Sequence, residues 1–249
     1  MTTSLDPQVV WLDSMLLAVN KPAGLPTLPD GYSPGKPCLV GMLREAYGSI
    51  WVVHRLDKET SGIILFARTA VAHRALNIQF EKKQIKKCYH ALVTGNPSWQ
   101  EKWVRSRLRA NGDRKHRTVI DNQRGKPAET QFLVCERFRD YTLVEAYPHT
   151  GRTHQIRVHL AFLGYPVAVD PLYGDGKPIY HANDLAGEST QKPENSLIKR
   201  LALHAQSITF NHPISDECIK VEAEYPPDFL SLVNYHRDQH QAILDEAHL

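Results

Sequence analysis

Apolar and polar residues recur along this chain in two rhythms, one of period two and one near 3.6, broken by proline and glycine. A continuous apolar run, Ile63, Ile64, Leu65, Phe66 and Ala67, is β-branched at its start and bounded by Gly62, which reads as a buried strand. Residues 50–53 lead into it from apolar to charged. Residues 9–19 read as a strand, a turn at Asp13 and Ser14, and a second strand through Leu16, Leu17 and Val19. Helical spacing appears behind Pro37 at Leu39, Met42, Leu43, Ala46 and Tyr47, with Gly48 as the stop. Thr69 is placed to cap a helix whose Ala72, Ala75, Leu76, Gln79 and Phe80 share a face. Further strands are expected at 87–93, 130–138, 141–147, 200–205, 208–210 and 218–224, the last with Ile219, Val221 and Ala223 inward. Arg139 and Asp140 make the tight turn between two of them. A helix capped by Thr153 carries Ile156, His159, Leu160 and Leu163 on one stripe, leaves His154 and Arg157 as neighbours off it, and ends before Gly164 and Pro166. Pro226 and Pro227 open a last helix that uses Phe229, Leu232 and Val233.

The pattern is that of an α+β protein, rich in mostly antiparallel strands with helices segregated between hairpins. No repeat and no interdomain linker is visible, so residues 1–249 are expected to form one domain, and a monomer is expected. Residues 20–26, stiffened by Pro22 and Pro26 around Gly24, read as a rigid loop; the Gly/Pro-rich 29–37 reads as flexible, and 173–199 as a surface insertion.

Charge adds one local feature. Thirty Lys and Arg against 27 Asp and Glu give a net +3, which permits a polyanionic partner without requiring one. Residues 101–126 are more basic than the rest. Arg105, Arg107 and Arg109 alternate and so project from one side of an extended chain, and Arg114, Lys115, Arg117, Arg124 and Lys126 follow, opposed by Asp113 and Asp121. Such a segment is the footprint of phosphate contacts or, taken alone, a solvated hairpin. The four cysteines are scattered without a CxxC pair, which points to reduced thiols in a cytoplasm. The polar start of the chain lacks a secretory layout, and no apolar run approaches the ~18 residues that cross a membrane.

Two dense polar blocks carry the candidate chemistry. In His54-Arg55-Leu56-Asp57-Lys58-Glu59-Thr60-Ser61-Gly62, Asp57 sits beside Arg55, Lys58 and a Ser/Thr pair at the approach to the buried strand. Flanking cations favour its ionised form, which suits a nucleophile better than an acid. In the second block, residues 149–160, His149, His154 and His159 are five apart; that step drifts around a helix, unlike the i, i+4 pair of zinc proteases, so no metal site is expected. Tyr89 stands alone on its strand, where a core aromatic is the common case. There is no P-loop and no GxGxxG, so no nucleotide cofactor is expected.

Four blocks in order, Asn20-Lys21-Pro22-Ala23-Gly24, the Asp57 block, residues 149–159 and Arg200-Leu201-Ala202-Leu203-His204-Ala205, resemble the RluA-type family of RNA pseudouridine synthases, over about residues 9–229. The resemblance implies a central mixed, mainly antiparallel sheet flanked by helices, with a cleft across it. It implies a catalytic Asp57, an active-site Tyr89, an Arg157 that pairs with the aspartate, and an aliphatic residue near the target base, Leu201 or Leu203. The S4-like domain that many relatives carry N-terminally is not recognisable. RNA affinity is then expected of the catalytic domain, with His54, Arg55, Arg105, Arg107, Arg109, Arg152 and His154 as candidate substrate contacts. The expected activity is isomerisation of uridine in ribosomal or transfer RNA with neither metal nor cofactor. The competing reading is an RNA-binding or chaperone protein that has kept the fold; binding alone needs no Asp57, Tyr89 and Arg157 together. A metal-dependent hydrolase fails on ligand spacing.

Overall fold

The computed structural model describes residues 6–29, 35–181 and 196–246. In chain order these form β1 (Gln8–Leu12), β2 (Leu16–Lys21), α1 (Leu39–Tyr47), β3 (Trp51–Val52), β4 (Ser61–Ala67), α2 (Ala70–Glu81), β5 (Lys86–Thr94), β6 (Glu101–Arg109), β7 (Val119–Ile120), β8 (Lys126–Arg137), β9 (Tyr141–Pro148), α3 (Gln155–Phe162), β10 (Ile179–Tyr180), β11 (Ser196–Ile198), β12 (Leu203–Asn211), β13 (Cys218–Glu222) and α4 (Pro227–Glu246). The class is α+β with a mixed, mainly antiparallel sheet. The polar start of the chain, the centre of the 29–37 segment and most of the 173–199 insertion lie outside the described residues. Within that insertion β10 and β11 pair antiparallel. Among the described residues no helix is long and apolar enough to cross a membrane.

The chain divides into two compact units, Met1–Tyr89 with His204–Glu224, and His90–Leu203 with Tyr225–Leu249. In the first, β4 is the central strand. It pairs antiparallel with β2 along its whole length, from Leu16↔Ala67 to Lys21↔Gly62. Its other edge takes β12 in parallel at Ser61 and Gly62 and β3 antiparallel at Phe66 and Ala67. A strand covered on both faces must be apolar at every position, which is why residues 63–67 show no alternation. All seven residues of β4 are buried. Against them pack Leu16, Leu17 and Val19 of β2, Leu39 and Leu43 of α1, Ala72 and Leu76 of α2, and Ile208 and Phe210 of β12. Each of the fully buried Leu, Ile, Val and Phe side chains contributes roughly 1.5–3 kcal/mol of transfer free energy. Thr69 accepts the Ala72 N–H at 3.2 Å and starts α2 as its sequence position demands.

In the second unit β6 pairs antiparallel with β8, and β8 with β9, the latter pair carrying a bulge between Val134 and Glu136. The even-numbered Val104, Leu108, Ala128, Thr130 and Phe132 are buried, and the odd-numbered Trp103, Arg105 and Arg107 are exposed. Helix α3 is docked on the buried face by Gln155, whose amide donates to Glu129 O and Thr130 Oγ1, both at 2.9 Å. Its carbonyl oxygen accepts from Thr150 Oγ1 at 2.6 Å and Arg152 N at 3.1 Å. Every polar atom of that buried amide is thereby satisfied. Three expectations need correction. The residue before α3 is His154 in the left-handed region (φ 54°), with no side-chain cap, so Thr153 does not cap this helix. The strand expected from Arg200 begins at Leu203, because Arg200 is drawn to Asp228 in a two-toothed ion pair of 2.7 Å bonds. Gly62 lies inside β4 rather than closing the corner before it.

Candidate functional site

Asp57 lies in the loop between β3 and β4, half-buried. The loop is pinned from several directions by main-chain groups. Thr60 N donates to Asp57 O at 3.1 Å and closes a turn; Gly24 N donates to Lys58 O at 2.8 Å. Thr27 Oγ1 donates to Leu56 O at 2.9 Å. Lys21 is fully buried at the end of β2, and its ammonium donates to the carbonyls of Pro22 and Leu25 at 2.8 Å and of Lys58 at 3.1 Å. One side chain therefore staples the rigid 20–26 loop to the Asp57 loop. Turn chemistry accounts for the prolines and Gly24 of that block, and the resemblance includes Lys21 in the block without giving it a role. A lysine between Val19 and Pro22 in an otherwise buried strand was the available signal.

His54 supports the loop rather than projecting from it. Its Nε2 accepts the Leu65 N–H at 2.9 Å, in place of a strand partner, and its ring lies 5.2 Å from Phe80. Burial, helped by the Lys87 charge, pushes its pKa down to about 3, so the imidazole is neutral and can accept. At the head of β4, Ser61 Oγ and His204 Nδ1 are 3.0 Å apart, and His204 Nε2 is 3.2 Å from Ala223 O. A carbonyl only accepts, so Nε2 carries the proton and Nδ1 receives the serine hydroxyl's. Gly62 has φ 113°, and a Cβ there would stand 2.2 Å from Ala205 O, so only glycine lets β12 approach. Tyr89, at the end of this unit's sequence, is half-buried; burial and then the Asp57 charge raise its pKa above the ordinary phenol range. The hydroxyl is therefore protonated at neutral pH, and Asp57 lies within electrostatic reach of it. Arg55 is exposed beside them.

The other candidates belong to the second unit. Arg157 is 5% exposed, which corrects its expected place off the buried stripe. Asp170, fully buried, receives Arg157 Nε and Nη2 at 2.7 Å each, the two-toothed geometry that fixes a guanidinium plane. The same carboxylate accepts the N–H groups of Leu172 (2.9 Å) and Tyr173 (3.1 Å), which bends the chain so that the Tyr173 ring lies under the guanidinium at 5.1 Å. The Tyr173 hydroxyl accepts from Thr118 N at 2.9 Å and sits 3.0 Å from His154 Nδ1. Val169, next to Asp170, is held at φ 58°, a costly conformation for a β-branched residue. Sequence reading missed Asp170 and Tyr173. The signal was there: one carboxylate ending the apolar Val167-Ala168-Val169 and followed by Pro171 and Gly174.

Arg105, Arg107 and Arg109 do share one face of β6, but two of them are engaged. Arg105 Nε meets Glu129 Oε1 and Arg109 Nε meets Asp121 Oδ2, each at 2.6 Å. Arg107 is exposed on the same face. Arg152 is exposed and donates to Pro127 O at 3.1 Å. Of the three histidines in the second block, His149 packs its ring 5.0 Å from Trp103, His154 meets Tyr173, and His159 bridges Ser106 Oγ and Thr130 Oγ1 at 2.9 Å each. Leu201 and Leu203 are both buried, at 1% and 3% exposure.

Comparison with known proteins places the chain as a whole. The sequence model described as RNA pseudouridylate synthase matches residues 15–162. The chain is 38% identical over 241 residues to ribosomal large subunit pseudouridine synthase C of Pasteurella multocida, covering 95% of this chain and 70% of that protein. It is 33% identical over 230 residues to ribosomal large subunit pseudouridine synthase D of Zymomonas mobilis, covering 89% and 70%. The solved structure of human RNA pseudouridylate synthase domain containing 4 superposes with a TM-score of 0.73 over 92% of this chain and 93% of the other, at 24% identity, which speaks for the fold.

Proposed function

The chain belongs to the RNA pseudouridylate synthase family, an isomerase acting on RNA, and on that premise we propose that it converts uridine to pseudouridine in large-subunit ribosomal RNA, with Asp57 as the nucleophile. The observation that carries the proposal is the fixing of Asp57 by main-chain bonds at the approach to a fully buried strand, within electrostatic reach of Tyr89. A carboxylate so held can capture an electron-poor sugar carbon, as in retaining glycosidases. An Asp57 oxygen bonds to C1′ as the C1′–N1 bond breaks, its electron pair leaving with the uracil. The base turns, C5 bonds to C1′ as the carboxylate leaves, the C5 proton is lost and N1 is protonated. Atoms and electrons balance without redox change or transfer of an outside group, so no cofactor enters the scheme.

The protonated Tyr89 is a surface for the uracil ring rather than a base. Arg157, its plane set by Asp170, supplies a fixed cation; Leu203 or Leu201 packs near the base. Flipping a paired uridine costs a few kcal/mol, which phosphate contacts from Arg55, Arg105, Arg107, Arg109, Arg152 and His154 offset. The test uses large-subunit ribosomal RNA carrying tritium at C5 of uridine. The enzyme should release tritium in the presence of chelator, and Asp57→Asn should lower release by roughly 10³-fold or more while RNA affinity stays. Turnover by Asp57→Asn overturns the nucleophile. Release from transfer RNA alone overturns the substrate, and binding without release from either leaves an RNA-binding protein.

A further inference from the structure

The solvent face of the β6–β8–β9 sheet carries a feature that phosphate contacts leave unexplained. Trp103 is 38% exposed, and its ring lies 5.0 Å from His149, also exposed, at an interplanar angle of 33°. The guanidinium of Arg105 stands 5.3 Å from the indole centroid. The indole is also oriented: its Nε1 donates to Glu101 Oε1 at 2.8 Å, and the same oxygen accepts from Gln131 Nε2 at 2.9 Å. Register places Trp103, Gln131 and Tyr147 in one cross-strand row and Arg105 and Glu129 in the next, so the aromatic and basic residues share one surface. We propose that Trp103 and His149 form a stacking site for an unpaired base of the RNA substrate, flanked by Arg105 and Arg107.

Three features favour RNA over an apolar protein partner. Aromatic rings beside guanidinium groups are the standard surface for single-stranded RNA, because every base has a π face and every linkage a phosphate. The Arg105 side chain is 72% exposed, and a surface ion pair of that kind is worth little, so Arg105 can exchange Glu129 for a phosphate at small cost. Fixing the indole beforehand lowers the ordering cost of stacking on it. The proposal rests on RNA being the substrate and is independent of the role given to Asp57.

The decisive comparison is between a short single-stranded RNA and a strand of equal length with abasic sugars, which keeps the phosphates and lacks the rings. Trp103→Ala should raise Kd for the base-bearing strand about 5- to 100-fold, the span expected for one lost stack, and leave the abasic strand unchanged. Trp103→Phe, which keeps a ring and guards against a folding artefact, should recover most of the affinity. Equal weakening of both strands, or none of either, overturns the stacking site. Wild-type tritium release separates the two claims. Normal release with no Trp103 effect removes the platform and leaves the reaction; a base-dependent Trp103 effect without release does the reverse.

Discussion

The loop that carries Asp57 is held through several of its carbonyls, by main-chain N–H groups, the Thr27 hydroxyl and the Lys21 ammonium, whereas the plane of the Arg157 guanidinium is set by the two oxygens of one carboxylate, Asp170. The first arrangement is distributed. Any residue supplies a carbonyl, so Pro22, Leu25, Leu56 and Lys58 accept hydrogen bonds whatever their side chains are. The second is concentrated, since Asp170 receives Arg157 and also turns the chain at Leu172 and Tyr173. Two ways of holding a charged group should therefore fail differently, the distributed one gradually and the concentrated one at one residue.

The largest effect is expected where the comparison is sharpest. Asp170→Ala removes both oxygens from Arg157 and both backbone acceptances, and should cost about 3–5 kcal/mol of unfolding free energy, as breaking a buried pair does. Urea unfolding measures it. A loss below about 1 kcal/mol would show that Arg157 owes its position to something else.

Acid should weaken both regions, from the same starting pH but down to different lower limits. His54 in the first unit and His159 in the second are neutral in the fold because burial lowers their pKa values, to about 3 and about 4. A folded value below the unfolded ~6.5 means stability that is fully present above pH ~6.5 and lost progressively as pH falls from there to the folded value. His159, with no exposed surface, should by itself remove about 2 kcal/mol between pH 7 and 5. The measurement is the difference in urea midpoint between those pH values for wild type and His159→Gln. Equal acid sensitivity in the two proteins would mean that His159 is already charged in the fold.

Sequence alone reached the distributed region more completely. The buried strand, the rigid 20–26 loop and the Asp57 corner are written in local chemistry, in Gly62, the prolines and an unbroken apolar run, and local chemistry is what periodicity and turn rules read. The Arg157 pocket is a meeting of side chains 13 residues apart through a strained Val169 and a left-handed His154, and no spacing rule foresees such a pairing. The alternation of Arg105, Arg107 and Arg109 did reveal their common face. Their engagement by Glu129 and Asp121 was hidden, because cross-strand neighbours depend on register.

The smallest effect on stability, and the closest test of distributed holding, is expected at Lys21. Lys21→Met keeps the length and bulk of the side chain and removes its charge. Three charge-assisted bonds to carbonyls are lost, each worth a kcal/mol or more. An ammonium no longer has to be taken out of water, however, and that saving is of similar size. The net loss should be about 1 kcal/mol, well below that of Asp170→Ala. Function should show the change more clearly than stability, because the bond from Lys21 to the Lys58 carbonyl, next to Asp57, is gone. Tritium release at saturating RNA should fall while RNA affinity stays, the sign of a displaced reacting group rather than a lost contact. If Lys21→Met instead unfolds as readily as Asp170→Ala, the Asp57 loop also hangs on one residue, and the contrast between the two regions disappears.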